Sequence, residues 1–271
     1  MTANGNAEDR ESSPLPVHLP MVLRARDFRL YTQGGGRLVD LWQNGGAAVL
    51  GHTPPKILRD LKNAASRGLY APFPHFLETR FLKALSRLFP GRCFRIYASP
   101  PSALEPLFRN GGASLWRPFF DPDAPFTIAD NAPPLLVPVL PGIHSWRNGL
   151  PLGLCVLAAG TQEQTAALPA GDILPPVQFA VAVHGVYDLV ASPDRGKPAF
   201  LRIYKALKNS RWQRKGIYLT PKNEPEDWDA LFRRFLDAGF LIPPVPSQPL
   251  ILPGVLSAGE EAKLAVALSD Y

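Results

Sequence analysis

The sequence predicts an α/β fold. Helical patterns with one apolar face, at 55–67, 76–89 and 226–238, alternate with short apolar runs bounded by glycine and proline. Hydrophobic residues make up 46% of the 271, enough for the core of one large domain or two small ones.

The hairpin at the start is read from Leu30, Tyr31, Leu38, Val39, Leu41 and Trp42, which flank the Gly34-Gly35-Gly36 turn. Thr53 and Pro54 open a helix over Pro55–Arg67, with Ile57, Leu58, Leu61, Ala64 and Ala65 on its apolar face and Gly68 at its end. A second helix covers Phe76–Phe89 and stops at Pro90-Gly91, and Phe94–Tyr97 is a strand. The middle is dense in proline, of which the chain has 31. Within it 133–141 and 150–158 read as buried strands, and Pro175–Ser192 as either a strand or a helix. A helix lined by Phe200, Leu201, Tyr204 and Leu207 follows, then a strand at Gly216–Thr220. Trp228, Leu231, Phe232, Phe235 and Leu236 repeat at helical spacing within Glu226–Ala238. Phe240–Ile242 and Leu250–Leu252 are short strands, and Ser257-x-x-Glu260 is a capping box opening the last helix, Ala258–Leu268.

Lys+Arg 29 against Asp+Glu 23 gives a net charge of +6, which permits an anionic partner without requiring one. Cys93 and Cys155 stand in no metal-ligand pattern and imply a reducing compartment. The N-terminus carries Glu8, Asp9 and Glu11 and no apolar core, and the longest apolar run is too short for a bilayer. The expectation is a cytoplasmic protein without a membrane anchor or a metal site.

The passage from Asp27 to Pro55 resembles the N-terminal signature of the class-III aminotransferases, which are fold-type-I enzymes dependent on pyridoxal phosphate (PLP). There a hairpin ending in aspartate precedes a glycine, and Gly-His-x-x-Pro opens a helix. The matching residues are Gly36, Asp40, Gly45, Gly51, His52 and Pro55. The run from Gly239 to Leu268 resembles the C-terminal end of the same family. The likeness covers about 27–109 and 195–271 and fades between them. It implies a truncated fold-type-I aminotransferase-like fold, with a reduced large domain at 90–194 around a mostly parallel sheet. Both chain ends, 21–89 and 195–271, would form an α+β small domain, with 1–20 as a flexible tail. The family is usually dimeric, so a homodimer or pairing with a related subunit is expected. A shortened sheet would then use its partner to cover a bare face.

The family's chemistry can be checked by residue type. Its Schiff-base lysine has no counterpart, because no lysine occurs from Ala84 to Gly196. A weak alignment puts Gln178 in its place, and Lys197 reads as a solvated loop residue. The phosphate cup of the family, Ser-Gly-Ser/Thr-Glu-Ala, matches Ser99-Pro100-Pro101-Ser102-Ala103, followed by Glu105. Pro100 and Pro101 have no N–H to offer a phosphate. Asp130 stands as a remnant of the residue that holds the cofactor's ring nitrogen, or as part of an ordinary turn. His144 and His184 are isolated, and no arginine follows Arg234. Trp42, His52, Ser99 and Asp130 are the candidate cleft.

The resulting expectation is a non-catalytic binding or assembly protein without PLP. One alternative is an active PLP-dependent class-III aminotransferase with an atypical site. The other is nucleic-acid or anion binding through a basic helix at 202–215, carrying Arg202, Lys205, Lys208, Arg211, Arg214 and Lys215. The plain reading of that patch is a solvated helix face, and nucleic acid is not the expected partner.

Overall fold

A computed structural model of the chain describes residues 15–128, 131–147, 149–223 and 225–269. Of the expected tail, residues 1–14 lie outside this set. Leu15–His18 form a helical turn, α1, and His18 Nε2 lies 2.9 Å from Asp229 Oδ1.

The opening hairpin is β2 (Arg29–Thr32) and β3 (Arg37–Asp40), with Leu30 opposite Leu38. Ahead of them β1 (Val22–Arg26), which the pattern does not reveal, pairs antiparallel with β2. Three helices carry the next part of the chain: α2 (Pro55–Ser66), α3 (Phe76–Leu88) and, in the interior, α6 (Pro176–Val190). The stretch left open as strand or helix is therefore helical. Its residues are apolar on nearly every side because α2 and α3 pack on it and Phe179, Ala182, Val183 and Val186 enter the core. Gly185 permits a close approach there, since a Cβ at that position would stand 2.4 Å from the Pro141 carbonyl oxygen.

The middle of the chain builds a four-stranded sheet in the order β4-β9-β6-β5. Its strands are β4 (Cys93–Tyr97), β5 (Ala113–Trp116), β6 (Leu135–Pro138) and β9 (Cys155–Ala159). A small hairpin, β7 (Ser145–Arg147) and β8 (Leu150–Leu152), precedes β9. The sheet is mixed and not mostly parallel. Only β5 and β6 run parallel, because β9 enters between β4 and β6 antiparallel to both. Neither face is bare. One meets the main core through Ile96, Trp116, Leu136 and Val156. The other is covered by α4 (Leu104–Arg109) and α5 (Gln162–Ala166) with Leu107, Phe108 and Leu168. Burial of the sheet thus does not call for a second chain, contrary to the expectation from its length.

The last third returns to the start of the chain. It contains α7 (Leu201–Leu207), β10 (Trp212–Lys215), β11 (Tyr218–Pro221), α8 (Trp228–Asp237), β12 (Phe240–Leu241), β13 (Leu250–Ile251) and α9 (Ala258–Ser269). The expected basic helix at 202–215 ends at Leu207. Ser210 closes the turn by donating to the Leu207 carbonyl and accepting from the Trp212 amide, and Trp212 is buried edge-on against Phe235. Arg214 and Lys215 therefore lie on a strand and share no helix face with Arg202 and Lys205. β12 joins β3 in parallel, with Phe240 opposite Val39, and β10, β11 and β13 form an antiparallel sheet. The Ile251 amide donates to the Leu41 carbonyl at 2.6 Å and links the two sheets.

The capping box at α9 fastens the chain ends together. The Ser257 amide donates to Glu260 Oε2 at 2.8 Å, and the Glu260 amide donates to the Ser257 hydroxyl. Arg29 forks onto the same carboxylate, Nε to Oε1 at 2.9 Å and Nη2 to Oε2 at 2.7 Å. The hydrogen bond from Arg29 holds the Glu260 carboxyl down to about 2, outweighing its burial. A carboxyl whose folded pKa lies below its unfolded value stabilises the fold above that value. The stabilisation is lost as the pH falls from about 4.5 to about 2. Glu260→Gln is expected to lower stability near neutrality by about 3 kcal/mol. The gap between the two proteins in urea titrations should close as the pH approaches 2.

Among the described residues no helix is long and apolar enough to cross a membrane.

Candidate functional site

Asp40, the last residue of β3, is 1% exposed and sits at the centre of a polar cluster. Its Oδ1 accepts from the Trp42 and Gln43 amides at 2.9 and 2.8 Å, and Oδ2 meets His52 Nε2 at 2.7 Å. These bonds fix an unusual turn, because Gln43, Asn44, Gly45 and Gly46 all have positive φ, +50°, +48°, +63° and +111°. Gln43 and Asn44 carry side chains into the left-handed region, which needs compensation from their surroundings. Gln43 Nε2 donates to the Ile251 carbonyl at 2.9 Å. Asn44 Nδ2 donates to the His144 carbonyl, and Trp146 Nε1 donates to the Asn44 carbonyl, both at 2.8 Å. Gly45 is required by packing, since a Cβ there would stand 2.3 Å from the Trp146 ring.

Arg195 reaches this turn from the far side. Its Nε donates to the Val49 carbonyl at 2.7 Å, and its Nη2 donates to the Leu252 carbonyl at 2.6 Å and to Gln43 Oε1 at 3.3 Å. Its guanidinium lies 5.0 Å from the centre of the Phe28 ring. Burial pulls its pKa down to about 10. Burial likewise pushes the Tyr218 phenol up to about 12, and its hydroxyl donates to the Pro118 carbonyl at 2.7 Å. Burial also pushes the His144 imidazole below its ordinary value, and its Nε2 donates to the Leu140 carbonyl at 2.9 Å.

The candidate cleft divides accordingly. Trp42 and His52 are joined through Asp40, and the Trp42 indole donates to Gln248 Oε1 at 2.7 Å. Ser99 belongs to a different cavity of about 350 Å³, between the β4–α4 loop and β8. Asp130 lies outside the described residues. Gln178 lies in the first turn of α6. Lys197 is a half-exposed residue 3.2 Å from Asp123 Oδ1. Gln43, Arg117, Trp146 and Arg195 escape a reading of the sequence. The one local signal was a polar Gln-Asn pair placed before two glycines.

The residues at the loop after β4 do not suit a cofactor phosphate. Pro100 and Pro101 have no N–H. The Ala98 amide is already taken by Asp172 Oδ2 at 2.8 Å, and the Leu104 amide by the Pro101 carbonyl at 2.9 Å. The charged side chain lining the cavity is Glu105, a carboxylate, and no lysine lines it. An anion there would meet the Glu105 carboxylate and, for side-chain donors, only the hydroxyls of Ser99 and Ser102 on that lining.

No family model matches the chain. It is 30% identical to an uncharacterized protein of Treponema pallidum over 284 residues, which cover 86% of this chain and 88% of that one. The chain belongs to that protein's family. A shorter match, 33% identical, joins it to a glutamate-1-semialdehyde 2,1-aminomutase of Sorangium cellulosum, over 26% of this chain and 16% of the aminomutase. Among solved structures it resembles the ornithine delta-aminotransferase of Plasmodium falciparum, with a TM-score of 0.64 and 13% identity over 93% of this chain and 92% of that one. An omega-transaminase from Sphaerobacter thermophilus matches with a TM-score of 0.64 and 11% identity over 93% of this chain and 90% of that one. At such identities the likeness establishes the fold, and this family has the fold of PLP aminotransferases.

Proposed function

We propose that this chain is a degenerate relative of the class-III aminotransferases that neither binds PLP nor transaminates, and that it serves in binding or assembly. The absence of any lysine from Ala84 to Gly196 carries this reading, because no other side chain offers the amine that holds the cofactor. The amides lost at Pro100 and Pro101 and the carboxylates of Asp172 and Glu105 support it. Pairing with a second copy or a related subunit is supported by aromatic residues at the α2–α3 junction. Tyr70 is 71% exposed, and Phe73 and Phe76 are exposed beside it in sequence.

Protein purified with PLP present and then dialysed is expected to be colourless. Borohydride should fix no cofactor to any lysine in a peptide map. A visible PLP band that borohydride converts into a lysine adduct would remove the proposal and restore the reading as an active enzyme with an atypical site.

A further inference from the structure

We propose that the cavity between β5 and the loop after it binds a small organic acid with an aromatic or branched apolar body, its carboxylate held by Arg117. The cavity is about 550 Å³, within the range of roughly 300–1,000 Å³ common for small-molecule sites. Leu115, Trp116, Phe120 and Ile128 give it apolar walls, and Thr127 and Asn131 add polar groups.

Arg117 stands just past the C-terminal end of β5 and lines this space. Its Nη1 donates to the Gly45 carbonyl at 2.7 Å, and the guanidinium carbon lies 5.8 Å from the centre of the Tyr218 ring. These contacts aim the group and leave Nε and Nη2 without a partner among the described residues. No described carboxylate lies within ion-pair distance of it. The acidic residue on the lining, Asp121, is engaged in its own turn, where Oδ1 accepts from the Asp123 amide at 2.9 Å and the Ala124 amide at 3.4 Å. A half-buried cation beside an apolar volume has no counter-ion among the described residues, and a planar carboxylate matches the guanidinium fork. The apolar walls call for an apolar body on the same molecule. A neutral ligand would leave the cation unmatched. The cavity shares no lining residue with the one beside Ser99, so the inference holds whatever the fate of the cofactor.

The test is isothermal titration of the full-length protein with 3-phenylpropanoate and 4-methylpentanoate, against uncharged 3-phenylpropanamide. Both acids should bind, and the amide roughly tenfold or more weakly. Arg117→Gln should weaken the acids by roughly ten- to hundredfold. Ala124→Trp, which fills the space from a lining residue that takes no part in the Arg117–Gly45 bond, should abolish binding of acids and amide alike. Circular dichroism would verify that both variants fold. Failure of the wild-type protein to bind either acid at millimolar concentration overturns the proposal. So does equal binding of acid and amide, or acid binding that survives in a folded variant.

Discussion

Asp40→Ala is expected to cost about 3–5 kcal/mol, read as a lowered urea midpoint with an unchanged slope. The carboxylate is buried and accepts from two backbone amides and meets His52 Nε2. Without it the Trp42 and Gln43 amides lose their acceptor at the entrance to four left-handed residues. Water has little access, since Gln43 is fully buried. Asn at this position keeps one oxygen for the two amides and offers a weaker contact to His52. Asp40→Asn should therefore lose only about 1–2 kcal/mol. Equal losses for the two variants would mean that the turn does not depend on the Oδ1 acceptor.

Arg195→Ala should cost about 3 kcal/mol by the same measurement. The guanidinium ties its own loop to two other segments, donating to the Val49 carbonyl and Gln43 Oε1 in the turn after β3 and to the Leu252 carbonyl. Removing it leaves those acceptors dry, each at roughly 1–3 kcal/mol. Part of the loss is offset, because the folded state no longer buries a cation whose pKa burial has pulled to about 10. Lysine should recover little, since one ammonium cannot reproduce a planar fork spanning Val49 and Leu252. A loss below about 1 kcal/mol, or full rescue by Arg195→Lys, would show that this arginine is not the tie between the segments.

Amphipathic helices with clear ends were legible in the sequence. α2, α3 and α8 match their patterned stretches to within a residue or two, because each has one buried face and a marked terminus. α6 was not, because a helix apolar on nearly every side carries little period to read. β1 was missed because its exposed residues Leu23, Arg24 and Arg26 give no apolar alternation, and it is defined by backbone pairing with β2. Strand direction also escaped. The burial of β6 and β9 on both faces looks the same whichever way β9 runs. At the site, Asp40 and His52 were visible only as two of the six residues matching the family's N-terminal signature, and Pro100 and Pro101 as the loss of two donors. Arg195 was invisible, because Arg195-Gly196-Lys197-Pro198 reads as a surface turn and its partners lie far away in sequence, as Val49 does. Arg117 likewise depends on a carbonyl from the N-terminal third.

The pairing of Val39 with Phe240 has a consequence for how the polypeptide is made. A ribosome delivers the first hairpin long before it delivers the strand that closes it, so the open side of β3 waits through most of translation. Contacts of such wide separation are slow to form and leave an unpaired edge exposed meanwhile. A message broken before the codon for Phe240 yields a product that keeps that edge open for good, and such fragments should be substrates for chaperones and proteases.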